Sequence, residues 1–484
     1  MKLHGAQIAL TALATIVLTA HPCAAQSAGK TSATAKAAIT RAPISTAEGA
    51  ATVGAYAVDL KTGNAVWKYN ENLWLTPASI TKVLTTGAAL YTKGATARLK
   101  THIEVAQKDS SIWALSVRGE FDPTTDSKYF DKHQLATEAK RVAEKLKTKG
   151  ITHLEAIVVD NSRMPIDLTS PKRLWEDIGN YYGSNPAMVN ISDNVTQLYF
   201  SSPKEEEALC TLDSMSMGLG NQTLRSDVRT HSSQADGCYV YWGGGEGSWY
   251  ATGSIPQGKK RFAVRAATPN PDKLYAETLA TLLRQNEISV DTTYVGAAQQ
   301  GEEIMAIESP TIAEIITQTN NYSVNLFADA LAFNLALSKR SQGTVTWSDA
   351  AEAVMSFWRE RCGLKMQIFD GSGLAPLGCV SARTMVEAIA SLRKGKEWKA
   401  FEESLPIVGK TGTARLLGAG TAIAGHARAK SGSMTGVQSY VGVMTTPAGR
   451  EIAFCIIVNH YQESQAAIIR GKISNWLNGI YSGK

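Results

Sequence analysis

The sequence predicts a multi-domain α/β protein in which one helix-and-sheet domain is split by an inserted, mixed, strand-rich region. Three observations lead there. The chain has 484 residues, more than one ordinary core accommodates, so two or three domains are expected. Both ends carry extended helical or hairpin patterns, whereas the middle alternates short strand-like runs with loops rich in Asp, Asn and Ser. Hydrophobic residues make up 44% and charged residues 19%, a composition that builds packed cores rather than disorder.

Taken in order, residues 1–25 read as an export signal. Lys2 and His4 precede an apolar run from Ala6 to Ala20, and Pro22-Cys23-Ala24-Ala25-Gln26 offers a small-residue cleavage site. That run is shorter than the ~20 residues a spanning helix needs. No later run is long and apolar enough, so the mature chain is expected to be exported to the periplasm without a transmembrane segment. Residues 26–45, rich in Ala, Ser, Thr and Lys, read as a flexible leader. Residues 46–98 form the first part of the split domain. A strand at Gly54–Asp59 turns at Lys61-Thr62-Gly63-Asn64 into a second strand around Ala65–Trp67, and Pro77 opens a helix reaching about Tyr91.

The inserted region is expected at 99–265, as two small domains with the inner one at about 121–194. Trp113–Val117 and Ala156–Val159 read as strands, and a helix fits near 134–148. Gly243-Gly244-Gly245-Glu246-Gly247 is a loop and not a phosphate cradle, since no Lys-Ser/Thr follows it. Residues 266–484 form the second part. Helical patterns run over 271–286, 311–338 and 346–358, then a hairpin of Val437–Thr446 and Glu451–Asn459, then a helix near 464–478.

Charge and cysteines narrow the function. A formal charge of +6, with no run of five basic residues, excludes a nucleic-acid binder. In an oxidising compartment the spacing suggests pairing Cys210 with Cys238 and Cys362 with Cys379, whereas Cys455 sits in a buried strand, Ile452–Val458. No C-x-x-C and no His pair at ligand spacing occurs, so no metal site is expected.

Ser79-Ile80-Thr81-Lys82 puts a hydroxyl and an amine on one helix face. Free backbone amides and the positive helix end favour an oxyanion at Ser79, and burial favours a neutral Lys82 able to take the serine proton. The same spacing occurs at Ser27, Ser201 and Ser391, but only Ser79 follows a helix-starting proline and precedes an apolar helix. A Ser-x-Asn element should supply a proton shuttle and an orienting amide. Ser323-Val324-Asn325, between two helical stretches, is preferred to Ser192-Asp193-Asn194, which runs into a strand inside the insertion. A strand bearing Lys-Ser/Thr-Gly should hold a carboxylate. Lys430-Ser431-Gly432, leading into the terminal hairpin, is preferred to Lys410-Thr411-Gly412, which is followed by a flexible stretch.

This ordered set resembles the low-molecular-mass class C penicillin-binding proteins, which are D-alanyl-D-alanine carboxypeptidases and endopeptidases. The resemblance spans nearly all of the mature chain, through Ala55–Asp59, Pro77–Lys82, Trp175-Glu176-Asp177, Tyr181-Tyr182-Gly183, Asn321–Asn325, Asp370–Leu374 and Ala429–Ser433. It implies a penicillin-binding transpeptidase/β-lactamase-like domain split by the insertion. It implies catalysis by Ser79, Lys82, Ser323 and Asn325 and carboxylate binding by Lys430 and Ser431. Gly432 would let the substrate approach, and the amides of Ser79 and Ser433 would form an oxyanion hole. Asp177 and Met434 are implied as specificity residues for the stem-peptide side chain. Peptidoglycan peptides are the implied substrates and β-lactam antibiotics the covalent inhibitors, with no cofactor. Ser431 departs from the family's threonine but keeps its hydroxyl. The turns at Asp370–Leu374 and Asp160-Asn161-Ser162 read as structural. A β-lactamase or esterase would use the same nucleophile, but no Glu stands clearly placed to activate a deacylating water. A catalytically inert wall-binding protein would not need the base.

Overall fold

The computed structural model describes residues 39–44, 51–109, 112–165, 167–216, 223–242 and 248–483. The expected export signal, most of the leader and the Gly243–Gly247 loop lie outside them. Ile39 accepts from Lys68 N–H and donates to Val66 C=O, and Ile44 is buried. The flexible leader therefore does not extend over 39–44.

The two ends of the chain build one five-stranded antiparallel sheet. Its order is Ala427–Met434, Val437–Thr445, Glu451–Asn459, Thr52–Asp59, Ala65–Tyr69. The central strands alternate between two cores, as a period of two requires. Tyr56, Val58, Ala453, Cys455 and Ile457 face the core shared with the helices Thr81–Lys93 and Ala382–Arg393. Val53, Ala55, Ala57, Phe454 and Ile456 face the C-terminal helix Ala466–Tyr481 through Ile473, Trp476 and Leu477. Two buried faces explain the unbroken apolar run Ile452–Val458. The helical pattern over 311–338 is two helices, Ile312–Tyr322 and Asn325–Lys339, because Ser323 turns left-handed at φ 58°.

The boundary expected at residue 265 falls elsewhere. A second five-stranded sheet runs Ser289–Gly296, His153–Asp160, Ile112–Gly119, Arg98–Asp109, Glu302–Thr311. Ser289–Gly296 pairs in parallel with His153–Asp160, and Glu302–Thr311 pairs with Arg98–Asp109. The helices Leu135–Thr148 and Pro271–Gln285 share its core. The insertion thus reaches Thr311. Its nested part is not 121–194 either. Two three-stranded sheets occupy 195–267: Thr211–Met215, Val195–Ser201 and Phe262–Ala267 in one, Thr223–His231, Ser248–Pro256 and Gly237–Trp242 in the other. Leu198, Phe200, Val228, Val240 and Trp249 form their common core.

Neither expected disulfide forms, and all five described cysteines are free thiols. Cys210 and Cys238 share a core, but their sulfurs face the carbonyls of Ala208 and Tyr239. Cys362 Sγ is turned back to Trp358 C=O along its helix, while Cys379 lies on a bridge to Gln367. Among the described residues no helix is long and apolar enough to cross a membrane.

Candidate active site

Pro77 leads into a single 3-10 turn, Ala78–Ile80, and then the helix Thr81–Lys93. Ala78 is buried with φ 50°, a left-handed backbone costing about 1–3 kcal/mol. Two glycines hold the chain in that shape. A Cβ on Gly373 would stand 2.1 Å from Ala78 O, and one on Gly432 would stand 2.5 Å from Pro77 O. Ser439 Oγ donates to Pro77 O at 2.6 Å. The turn is therefore clamped between the Asp370–Ala375 loop and the edge strand Ala427–Met434, and Ser79 is left partly exposed at its apex.

Lys82 is wholly buried. Its Nζ reaches Ser79 Oγ at 2.9 Å, Asn325 Oδ1 at 2.6 Å and Ser372 O at 2.8 Å. Burial lowers its pKa to about 7, against the pull of Asp329 and Asp370 and with help from the Arg173 guanidinium. Asn325 opens its helix and donates through Nδ2 to Tyr182 O at 2.8 Å. Ser323 ends the preceding helix in the left-handed conformation, which turns its hydroxyl to Lys430 Nζ at 2.9 Å. Lys430 also donates to Ser431 O at 2.6 Å. Burial and the nearby Lys82 charge hold Lys430 well below the usual lysine range. Ser79, Lys82, Ser323, Asn325 and Lys430 thus form one cluster across three chain segments.

The edge strand has one strand partner, Val437–Thr445. On its other side Val408 N donates to Ala427 O and Ala429 N donates to Pro406 O. Backbone groups alternate sides along a strand, so Ser431 and Ser433 also turn their N–H and C=O outward. Beyond Ala429 that edge lies past the covering segment and beside the Ser79 turn.

The literal motifs set aside in the sequence lie differently. Lys410 occupies an exposed turn over Gly425. Asn194 is buried and spends its side chain on Asn185, Asn190 and Ile191. Asp193 nevertheless lines a cavity of about 80 Å³ together with Tyr129, Tyr181, Tyr182, Tyr322, Ser323 and Asn325. Asp177, in the short helix Trp175–Ile178, is hydrogen-bonded to the Tyr182 side chain. Burial and the adjacent Glu176 raise its pKa to about 6. Met434 is half-buried at the end of the edge strand.

Sequence reasoning missed what lies behind Lys82. Arg173, from the inserted region, has its guanidinium between Asp329 and Asp370, with Nε to Asp370 Oδ2 at 3.2 Å. It also donates to Ser372 Oγ at 3.1 Å, and all three charged side chains are at most 1% exposed. Asp329 accepts from Gly371 N, and Asp370 accepts from Gly373 N and Ala375 N. This network shapes the loop whose Ser372 carbonyl holds Lys82. One signal was available: Asp329 is a lone carboxylate within the apolar run Leu326–Leu337, and a charge there must be paired. The turn at Asp370–Leu374 is thus structural in kind but joined to Lys82.

Comparison with known proteins follows the same lines. The chain is 24% identical over 431 residues to a D-alanyl-D-alanine carboxypeptidase of Actinomadura sp., covering 84% of this chain and 77% of that protein. The crystal structure of penicillin binding protein 4 from Haemophilus influenzae superposes with a TM-score of 0.76 at 22% identity, covering 91% of this chain and 98% of that one. The same protein complexed with a β-lactam gives 0.73 at 21% identity, with the same coverage. These two structural matches establish a common fold. The model of the D-Ala-D-Ala carboxypeptidase 3 (S13) family matches residues 38–479, and the chain therefore belongs to that family of serine-type D-Ala-D-Ala carboxypeptidases.

Proposed function

We propose that the protein is a D-alanyl-D-alanine carboxypeptidase and endopeptidase that acts on peptidoglycan stem peptides through an acyl-enzyme on Ser79. The observation that carries this reading is the Lys82 amine, 2.9 Å from Ser79 Oγ with its pKa brought to about 7. In its neutral form Lys82 donates to Asn325 Oδ1 and Ser372 O, and its lone pair faces Ser79. Ser79 Oγ attacks the carbonyl between the two D-alanines while its proton passes to Lys82. The C–N bond then breaks, the leaving amine takes a proton through Ser323, and water later hydrolyses the ester. The amides of Ser79 and Ser433 hold the oxyanion. A substrate strand lies along the open edge, and its terminal carboxylate, meeting Lys430 and Ser431, favours the ammonium form that burial alone disfavours.

Asp177, with Met434, receives the free end of the stem-peptide side chain. Endopeptidase action is supported by a groove of about 760 Å³ beside the helix Ile312–Tyr322. It shares Tyr129 with the small cavity at Ser323 and leaves room for a second peptide. We place the reaction outside the cytoplasm, where its substrate lies, with β-lactams as acylating inhibitors. Purified crosslinked muropeptides test the reading: D-alanine release and loss of crosslinks are expected together, and both should vanish in Ser79→Ala. Fluorescent penicillin should label the wild type and not that variant. Rapid penicillin turnover with intact muropeptides would point instead to a β-lactamase.

A further inference from the structure

The nested sheets of the insertion carry a row of aromatic rings that the proposed chemistry does not use. On the strand Gly237–Trp242, Cys238 and Val240 face the core, so Tyr239 and Tyr241 face outward. Tyr250 lies opposite Tyr241 in the ladder, and the two rings stack with centroids 5.0 Å apart and planes 12° apart. Trp175 packs over both, at 5.0 Å and 5.8 Å, while 54% of its surface stays exposed. Tyr239 extends the row at 6.5 Å from Tyr241 and is 44% exposed. Leu174, next to Trp175, is 47% exposed as well, and an exposed apolar patch of this kind marks an interaction surface.

We infer that this row is a platform for the glycan strand of peptidoglycan, which binds pyranose rings while their stem peptide occupies the Ser79 cleft. This rests on the proposed substrate and extends it from the peptide to the sugar. The chemistry of the surface fits a sugar. A pyranose offers an apolar C–H face to a ring and hydroxyls to polar neighbours, and tyrosine pairs a flat apolar body with a polar tip. The centroid spacings are of the order of one sugar ring.

The row is also continuous with the active site. Trp175 is two residues from Asp177 and belongs to the same short helix. That segment is fixed to the tyrosine strand by two bonds and one close contact, and to the strand Phe262–Ala267 by a third bond. Trp175 Nε1 donates to Trp242 O at 2.9 Å, Val240 N donates to Asn180 Oδ1 at 3.1 Å, and Ala267 N donates to Gly179 O at 2.9 Å. A Cβ on Gly179 would lie 2.1 Å from Val240 O, so only glycine permits the approach. Three residues after Gly179, Tyr182 O holds Asn325. The rings therefore stand at a fixed place relative to the base, and a stem peptide in the cleft has its sugar tethered nearby.

The test uses the full chain and glycan strands stripped of their peptides. The wild type should be retained on stripped glycan. Tyr239→Ala and Trp175→Ala should each weaken retention about tenfold, the loss expected for one ring contact. Tyr239 is an exposed strand residue, so that variant keeps the fold, which penicillin labelling of Ser79 verifies. D-alanine release from soluble pentapeptide should stay within about twofold of wild type in Tyr239→Ala, whereas release from intact sacculi should fall about tenfold. No retention of stripped glycan by the wild type, or equal retention by both variants, overturns the platform. Self-association that Tyr239→Ala abolishes, without glycan retention, would assign the row to a second copy of the chain. Glycan retention is scored without catalysis, so a failure of the catalytic reading stays distinguishable.

Discussion

Replacing Arg173 with methionine removes a guanidinium shared by two buried carboxylates while keeping most of the side-chain volume. Breaking a buried ion pair in this way costs about 3–5 kcal/mol, because the remaining charges stay buried. Three backbone amides remain to soften the loss: Gly373 and Ala375 still serve Asp370, and Gly371 still serves Asp329. Asp329, whose pKa burial already raises to about 6, relieves it further by taking up a proton. The expected loss of unfolding free energy is therefore near the lower end, about 3 kcal/mol at neutral pH. Its pH dependence has a definite sign. A carboxyl whose folded pKa lies above its unfolded value binds more protons when folded, so its contribution to stability falls as pH rises through the folded pKa. Relative to wild type, Arg173→Met should lose more stability at about pH 8 than at about pH 5.

The same substitution acts on catalysis through Lys82. The guanidinium lowers the lysine's pKa and the carboxylates raise it, so its loss moves that pKa upward. Proton uptake by Asp329 limits the move to about one unit, which at pH below the pKa means about tenfold less neutral amine. The acid limb of the rate of penicillin acylation should shift upward by that amount, with the rate recovered at high pH. In Arg173→Met/Asp329→Asn one carboxylate remains, which restores the net charge around Lys82. The limb should then return, and much of the lost stability with it. A single variant whose acid limb stays at the wild-type position would refute the electrostatic link between the insertion and the base.

Wild-type acylation should itself rise with pH through about 7 and level off, as the amine of Lys82 loses its proton; a pH-independent rate would exclude Lys82 as base. Gly432→Ala drives a Cβ to 2.3 Å from Ser439 Oγ and 2.5 Å from Pro77 O, and should cost about 1–3 kcal/mol in denaturant titration together with most acylation. Lys430→Ala should abolish carboxypeptidase turnover while Lys410→Ala, in an exposed turn, leaves it near wild type; the opposite result would exchange their roles. Asp177→Asn should raise KM about tenfold for stem peptides with a free side-chain amine and leave kcat nearly unchanged. Wild-type binding of those peptides should weaken as pH falls below about 6, where Asp177 protonates, and the variant should lack that dependence.

Much of the split domain could be read from local pattern. The terminal hairpin alternates with a period of two, Pro77 marks the start of the Ser79 turn, and the hairpin that follows Lys430 placed it on a strand. The limits of the insertion could not be read that way. They depend on Ser289–Gly296 pairing with His153–Asp160, a contact between strands far apart in sequence that local periodicity does not encode. The left-handed form of the break at Ser323, which the sequence places between two helical stretches, was hidden for a related reason. A serine in the left-handed region is held there by tertiary contacts, here the Lys430 amine, and neither proline nor glycine announces it. Spacing also suggested disulfides that the side-chain directions do not make. Asp193 showed that a segment can fail as a motif and still line the site.

The division into a catalytic domain and an accessory insertion conceals how the site is made. The helix Thr81–Lys93 supplies Lys82, but the insertion supplies Arg173 behind it and the Tyr182 carbonyl that aims Asn325 at it. A minimal enzyme cut at the sheet boundaries would leave Asp329 and Asp370 buried without their cation. It would also free Asn325 from one of its two bonds. Such a chain pays the cost of the isolated carboxylates before any substrate is bound. The insertion therefore acts on two levels: its interior residues set the charge around Lys82, and its outer segment carries Asp177 beside Tyr182. On the proposed function, substitutions at Asp177 would alter substrate preference while Arg173, four residues away, still holds the loop behind Lys82.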